Sequence, residues 1–512
     1  MWKVLNKEQM QRADAYTIEE IGVPSAVLME RAALAAACEV RKLLGESKSR
    51  DVLVLAGTGN NGGDGFACAR ILYMDGIQAS VILTGNPSHL TEEASRQMRI
   101  CENIGIPISI LSLMPPDDQH ALIAGAGVIV DAVFGIRLTR PVTGLISELF
   151  EEVNSSGAKV AAVDIPSGVL SDTGAVLGTA VKADVTVTMQ CAKPGLLLYP
   201  GAFYAGKVTV AEIGVILPDS GSMLSPDTSD LKTMLPHRNP SGNKGTFGKV
   251  LLIAGSKNMA GAACLAGMAA LRSGCGMVKI LTSEENRIII QSVLPEAMLG
   301  TFESEEEAIE ELRKGLAWCD AVGCGPGFGT DDIRKKLLQT LLAECAKPLV
   351  LDADALNLIG ADSSLLKARI TGCSVYVTPH LGEMARLTGL PVSEIKKNPI
   401  AAARDYAASN NLTCVLKDAR TVTAAPDGSI FLNRNGNSGM ATAGSGDTLT
   451  GILTSLLGQG TDPALAAPCA VCLHGAAGDA ARDRLGERSL TAGDIADAIP
   501  GVFCTLNNSR QK

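Results

Sequence analysis

Short runs of β-branched and aliphatic residues alternate with Ala- and Leu-rich helical stretches along the whole of this chain. That rhythm leaves few ways to hide the apolar surface, and a mostly parallel sheet with helices on both faces suits it best. The runs at 51–56, 79–83, 128–133, 159–163, 185–189 and 208–213 predict one series of strands. Those at 250–254, 277–281, 321–323, 349–351, 375–378 and 413–416 predict a second. Five hundred and twelve residues exceed one ordinary core. The stretch between the two series is rich in Pro, Ser, Asp and Gly and poor in apolar residues, the composition of a linker. We therefore expect an α/β domain over 1–217, a linker over 218–230 and a second α/β domain over 231–512. The halves show no internal repeat, so two different folds are expected.

Charge narrows the partners. The formal charge is −9, and no run of Lys and Arg offers a phosphate footprint, which argues against nucleic acid. Backbone amides at helix starts can still hold a dinucleotide. Fourteen cysteines lack any framework spacing and sit in apolar or Gly/Ala-rich surroundings, as reduced thiols do. Cys469 and Cys472 make one C-x-x-C in a helix-like stretch, and core packing is the expected role. The first twenty residues are charged throughout and lack the apolar segment of a signal peptide. No apolar run is expected to cross a bilayer, and a cytoplasmic location follows.

Two constellations carry chemistry. In the first, the strand at 51–56 runs into Gly57-Thr-Gly-Asn-Asn-Gly-Gly-Asp-Gly65 and then a helical stretch at 66–74. Glycines let a backbone approach a phosphate, and free amides with the helix dipole favour negative charge. A plain turn does not need Asn60, Asn61 and Asp64 as well. Asp131 and Asp164 each end a buried strand, at the edge where open α/β sheets bind ligands. One such carboxylate would serve as a turn cap; two beside the Asn/Gly loop point to a shared site.

In the second half, Gly323-Cys-Gly-Pro-Gly-Phe-Gly329, Leu351-Asp-Ala-Asp-Ala-Leu-Asn357, Thr378-Pro-His-Leu-Gly-Glu383, Lys417-Asp-Ala-Arg-Thr421 and Ala443-Gly-Ser-Gly-Asp447 follow one another. The amides of Gly444, Ser445 and Gly446 at a helix start can surround a phosphate as its charge develops. Asp447, one step along, can act as base on an attacking hydroxyl. Lys417 to Thr421 supplies a cation and a hydroxyl for a nucleotide's phosphate chain. His380, between turn residues, reads as a substrate contact, whereas His474, on an apolar helix, reads as structural.

At these words the first half resembles the NAD(P)H-hydrate epimerase family, most specifically at NNGGD (60–64), DAVFG (131–135) and DIPSG (164–168). The resemblance implies a Rossmann-like three-layer α/β/α domain and a K⁺ ion held by Asn61, Asp131 and Ser167. It also implies a hydrated dinucleotide against Asn60, Asn61, Gly62, Gly63 and Asp64, against Gly135, Ile136, Arg137, Leu138, Thr139, Arg140 and Pro141, and against Asp164. Inverting a carbinol carbon beside a ring nitrogen needs hydroxyl departure and return, so Asp164 is the expected acid/base group.

The second half resembles the ribokinase-like fold, and within it the ADP/ATP-dependent NAD(P)H-hydrate dehydratases. NKGTFGKVLLIAGS, PEAM, GPGFG, LDADALN, TPHLGE and GSGDTLTG occur in that family's order. The resemblance implies that Ala262, Gly327, His380 and Asp447 contact the hydrated cofactor, with Asp447 catalytic. Lys417, Asp418, Ala419, Arg420, Thr421, Gly444, Ser445 and Gly446 would hold ADP or ATP with Mg²⁺. Three positions depart from the family's pattern: Asn243 for His, Asp418 for Gly and Ser445 for Thr. Asp418 matters most, because a carboxylate beside Lys417 could repel a phosphate.

Together the halves imply repair of hydrated NADH and NADPH: epimerisation of the R and S hydrates, then nucleotide-driven dehydration of the S form. Both families commonly form homo-oligomers, so self-assembly is expected. Two competing readings are a ribokinase-like kinase of a vitamin precursor fused to a nucleotide-binding module, and a silent dinucleotide sensor. The NNGGD and DIPSG words argue against the first. The intact Lys417, Asp447 and Gly444–Gly446 loop argue against the second.

Overall fold

A computed structural model describes residues 1–47, 49–217, 221 and 223–508. It divides into two compact units, Trp2–Ser222 and Met223–Lys512 together with Met1. Residues 218–220 and 222 of the expected linker lie outside the described residues, as do 509–512. From Met223 on, that stretch is built into the second unit: Met223–Ser225 is a strand, and Thr228–Asp230 a helical turn capped by Asp227.

The first unit is a seven-stranded parallel sheet. Its strands are β1 (Val52–Ala56), β2 (Ala79–Leu83), β3 (Ile108–Ile110), β4 (Val128–Ala132), β5 (Lys159–Val163), β6 (Val185–Met189) and β7 (Lys207–Ala211), in the order β3-β2-β1-β4-β5-β6-β7. Alternate residues serve opposite faces. Val52, Val54 and Ala56 pack under α1 (Ser25–Gly45) and α2 (Asn60–Met74). Leu53 and Leu55 join Ile129, Leu149 and Phe150 on the other face. Both faces are covered, so the strands read as continuous apolar runs. The strand order reverses between β1 and β4, and a crevice opens there at the carboxyl ends.

The glycine word that follows β1 is shorter as a loop than expected. Helix α2 begins at Asn60, not Phe66, so Asn60-Asn-Gly-Gly-Asp-Gly65 forms its first turns. Poor helix propensity hides this in the sequence, and close packing imposes it. A Cβ on Gly62 would lie 1.9 Å from the Gly57 carbonyl oxygen, and one on Gly63 would lie 2.5 Å from Met29 Cε.

The second unit holds β8 (Met223–Ser225), β9 (Lys249–Ile253), β10 (Met277–Ser283), β11 (Met298–Phe302), β12 (Ala321–Cys324), β13 (Leu349–Leu351), β14 (Val375–Val377), β15 (Thr413–Leu416), β16 (Val422–Ala424) and β17 (Ile430–Leu432). They run in the order β8-β17-β16-β15-β14-β13-β12-β9-β10-β11. From β15 to β11 every pairing is parallel; β16 is antiparallel to both of its neighbours. Helix α3 (Ala260–Arg272) is small-residue-rich because α5 (Ser445–Gly458) crosses it at backbone range: a Cβ on Gly451 would lie 2.1 Å from the Ala266 carbonyl oxygen. That crossing fixes where the α5 N-terminus points. Between them in sequence, α4 (Leu381–Thr388) follows β14.

Helix α6 (Pro463–Leu485) packs between α5 and α7 (Ala492–Asn508). Its 23 residues have the length and apolar composition to span a bilayer, contrary to the sequence expectation, but 78% of the apolar window is buried inside the unit. Core packing accounts for it. Cys469 and Cys472 lie fully buried on this helix, among aliphatic side chains. All fourteen cysteines are free thiols.

Candidate active sites

A cavity of about 650 Å³ occupies the crevice of the first unit. Asn60, Asn61 and Asp64 of α2 line it, with Gly135, Ile136, Arg137, Leu138, Thr139, Arg140 and Pro141 from the segment after β4, and Asp164 from the end of β5. Gly62 and Gly63 do not face it; they let α2 start against Gly57 and Met29.

Asp164 adopts a left-handed backbone, φ 67°, rare for a residue with a side chain. Its carboxylate is pinned there. Lys193 Nζ donates to Oδ1 at 2.6 Å, and the Met189 amide and Thr188 Oγ1 donate at 3.3 and 3.4 Å. Lys193 is 1% exposed and spends its other protons on Thr188 Oγ1 and the Met189 carbonyl, both at 2.9 Å. Asp14, from the helix Lys7–Ala15, also lines the cavity. Burial pushes its carboxyl up to about 6, against the pull of Lys193 and with help from the charge of Asp164. Asp64 is pushed well above the carboxylate range, by burial first and then by Asp164 and Asp14.

Behind the cavity, Asp131 is completely buried. It accepts from Ser167 N at 2.7 Å, Ser167 Oγ at 2.6 Å and Val133 N at 3.3 Å, while Ser167 Oγ accepts from Phe134 N at 2.8 Å. Burial pushes Asp131 up to about 6, the Ser167 hydrogen bonds only partly opposing it. Among the described residues no Lys or Arg pairs with it. Asn61 adjoins this group through Gly135, whose Cβ would lie 3.4 Å from Asn61 Oδ1, and its Nδ2 is buried without a hydrogen-bond partner. An uncompensated buried carboxylate, a hydroxyl and the amide oxygen of Asn61 form an oxygen-bearing set that fits a hard monovalent cation.

The second unit gathers its words at the N-terminus of α5. Lys417, just beyond β15, donates to Asp352 Oδ1 at 2.7 Å, and Thr450 Oγ1 donates to Asp352 Oδ2 at 2.7 Å. Burial works against the Lys417 ammonium, but Asp352, Glu383 and Asp447 outweigh it, and its pKa is raised. A Cβ on Gly446 would lie 3.1 Å from Lys417 Nζ, so glycine keeps the ammonium open toward the helix end. Gly444, at φ 88°, caps α5. Asp447 sits in the first turn of α5, where burial, then Asp352, push its carboxyl up to about 7 despite Lys417.

His380 caps α4. Its Nδ1 accepts from Gly382 N at 2.9 Å and Glu383 N at 3.2 Å, which puts a neutral ring's proton on Nε2. Burial and the neighbouring Lys417 and Arg386 lower its pKa. The Lys417 amide donates to the Pro379 carbonyl at 2.8 Å, which ties His380 to the lysine strand. Ala262 and Gly327 meet: a Cβ on Gly327 would lie 2.9 Å from that of Ala262. Asp354 accepts from the Gly329 amide at 2.8 Å, closing the glycine turn over the carboxylates.

Asp418 and Ala419 are exposed on the loop after Lys417; Arg420 donates to the Arg434 carbonyl at 2.6 Å, and the Thr421 carbonyl accepts from Asn433 N at 3.0 Å. Ser445 Oγ lies 3.4 Å from Nε2 of His474, whose pKa burial lowers to about 4. The residue read as structural thus neighbours the phosphate loop as a neutral ring.

Sequence reasoning passed over Lys193, Asp14, Asp352 and Thr450. Lys193 left a signal, since it follows a strand end in Cys191-Ala-Lys-Pro194, and so did Asp352, which follows the apolar run 349–351 in Leu351-Asp-Ala-Asp-Ala-Leu-Asn357. Asp14 left none, because its helix reads as an ordinary amphipathic surface.

One family model, described as YjeF-related protein N-terminus, matches residues 25–195, and another, described as NAD(P)H-hydrate dehydratase, matches residues 250–501. A bifunctional NAD(P)H-hydrate repair enzyme of Moorella thermoacetica is 37% identical over 97% of this chain and 96% of its own length. An ADP/ATP-dependent NAD(P)H-hydrate dehydratase from Bacillus subtilis, co-crystallized with ATP and Mg²⁺, is 34% identical, with TM-score 0.49, over 56% of this chain and 99% of its own. A ribokinase-like superfamily protein from Enterococcus faecalis V583 is 30% identical, with TM-score 0.50, over 56% of this chain and 96% of its own. Matched over 97% of its length by a relative 37% identical to it, this chain belongs to the family of bifunctional NAD(P)H-hydrate repair enzymes.

Proposed function

We propose that the first unit epimerises R- and S-NAD(P)H hydrate and that the second dehydrates the S form with ADP or ATP. The epimerase domain corresponds to the first unit through residue 217, and the dehydratase domain to the second unit from Met223, whose sheet takes in Met223–Ser225. The observation that carries this is the cluster at the start of α5, where Lys417, Asp352 and Thr450 stand beneath Gly446 and Asp447 is tuned to about 7. Such a site phosphorylates a hydroxyl: Asp447 takes the proton from the C6 hydroxyl as its oxygen attacks the terminal phosphate, and the amides of 444–446 stabilise the charge that develops there. The ring nitrogen then expels phosphate, the C5 proton is lost, and the ring double bond returns. Lys417 holds the nucleotide's phosphates, and Mg²⁺ enters with the nucleotide. Ala262, Gly327 and His380 hold the hydrated ring.

In the first unit, Asp164 gives and takes the proton at the C6 hydroxyl, and α2 with the 135–141 segment holds the dinucleotide. Asn61, Asp131 and Ser167 would hold K⁺, whose charge would compensate Asp131 and fix the Phe134–Gly135 turn. The buried free thiols suit a reducing compartment, the cytoplasm.

The test uses both NADH-hydrate epimers with Mg²⁺, K⁺ and ADP or ATP, following recovery of dihydronicotinamide absorbance. Full recovery faster than spontaneous epimerisation is expected. Recovery stopping at the S fraction would remove the epimerase assignment; none with either nucleotide would remove the dehydratase, and turnover of a hydroxymethyl-pyrimidine would put a kinase in its place.

A further inference from the structure

The cavity of the first unit holds more acid–base groups than one proton-transferring residue requires. Asp164 and Lys193 form a closed pair: every Lys193 proton has a partner, and Asp164 Oδ1 is held by the ammonium. Asp14 is the opposite case. It reaches the same cavity from a different element, and its carboxyl makes no hydrogen bond or ion pair among the described residues. Asp64, on α2 beside Asn60 and Asn61, belongs with the substrate-holding turn. Arg137 and Lys193 are the cations that Asp14 senses.

We propose that Asp14 is a second catalytic acid–base group, serving the face of the hydrated ring opposite that served by Asp164. This rests on the epimerase reading above. Inversion at C6 needs both faces. A proton passes from one carboxyl to the C6 hydroxyl, the C–O bond breaks and water leaves, while the ring nitrogen's lone pair forms a planar C=N⁺ bond. Water then adds its oxygen to C6 from the other face and gives its proton to the second carboxylate, and the C=N⁺ electrons return to nitrogen. One water leaves and one enters, one carboxyl loses a proton and one gains it, and nothing is oxidised. The reverse reaction exchanges the two roles. One carboxylate anchored by Lys193 and a strained backbone cannot swing between faces. A group poised near neutrality, as Asp14 is at about 6, can both donate and accept.

The experiment uses the full chain without nucleotide, so that the dehydratase is idle, and each separated epimer of NADH hydrate in H₂¹⁸O. Inversion is read by chromatography and label at C6 by mass spectrometry, above the spontaneous rates. Asp14→Asn is expected to slow inversion by about 100-fold or more. It keeps exchange of label without inversion in one epimer, and Asp164→Asn keeps it in the other. Inversion by Asp14→Asn within about threefold of the unaltered protein, or exchange of the same epimer by both variants, would overturn the proposal. Should Asp14→Asn not fold, judged by circular dichroism, Asp14→Ala with added formate decides: returning inversion supports the role, and a folded variant that formate leaves inert refutes it. Failure of the unaltered protein to invert either epimer would strike the epimerase reading itself, before Asp14 is in question.

Discussion

Replacing Lys417 with Met isolates what the central ion pair of the second unit contributes. Methionine keeps most of the volume and removes the charge. Asp352, 1% exposed, is then left with the Thr450 hydroxyl as its one remaining side-chain donor among the described residues. Breaking a buried pair by removing one partner costs about 3–5 kcal/mol, chiefly because the other charge is stranded. Lys417 is 20% exposed, so water reaches part of the gap and the lower end, about 3 kcal/mol, is expected. A full-chain melting curve would blend two units. Hydrogen exchange read strand by strand avoids this: amides of β13, β14 and β15 should exchange about 100-fold faster, while those of β1 and β4 serve as an unchanged control in the same molecule. If the stranded charge is the cause, adding Asp352→Asn should restore most of the protection. Double-variant protection no better than that of Lys417→Met would refute the reasoning and make the loss one of packing.

Three further outcomes follow from the geometry. Asp447 must be ionised to act as base, and its carboxyl is raised to about 7, by burial and then Asp352; dehydratase kcat/KM should therefore rise with pH through about 7, falling near tenfold per pH unit on the acid side, and Asp447→Asn should flatten that limb and cut the rate by at least about 100-fold. Gly446→Ala places a Cβ 3.1 Å from Lys417 Nζ; KM for the nucleotide should rise about tenfold, equivalent to ~1.4 kcal/mol, with epimerase rates unchanged. Gly57→Ala drives a Cβ to 2.0 Å from the Val133 carbonyl oxygen; exchange protection in β1 and β4 should fall by more than ~2 kcal/mol and epimerase activity with it, while dehydration of the S hydrate persists.

The parallel core was legible because both its faces are covered: at β2, β5, β6, β13 and β15 the apolar run and the strand coincide to the residue. The strands that escaped were Trp2–Val4, Ile108–Ile110, Met223–Ser225, Met298–Phe302, Val422–Ala424 and Ile430–Leu432. Most are three residues long, and Met298–Phe302, at a sheet edge with Gly300 and Thr301, is only partly buried. Their identity comes from neighbours, not from composition. The start of α2 escaped for a related reason, since Asn, Gly and Asp favour a loop and only the Gly57 carbonyl and Met29 make them helix. Site residues followed the same division. Asp131, Asp164 and Asp447 announce themselves at strand ends and a helix start, whereas Asp14 becomes visible only once its helix is seen against the cavity.

The burial of α6 has a consequence for how the chain comes to be made. One side of that helix is covered by α5 and the other by α7, so the second unit's core, which includes Ile495, Ala496 and Ile499, is incomplete until residues 492–506 have been synthesised. The first unit has its sheet and both covers by residue 217 and can close while translation continues. A chain that ended between residues 485 and 492 would thus carry one finished enzyme tethered to an apolar helix of bilayer-spanning length whose α7-facing side is uncovered. Such an intermediate is a natural client for chaperones, and it makes the dehydratase, not the epimerase, the half that ribosome pausing or truncation would forfeit first.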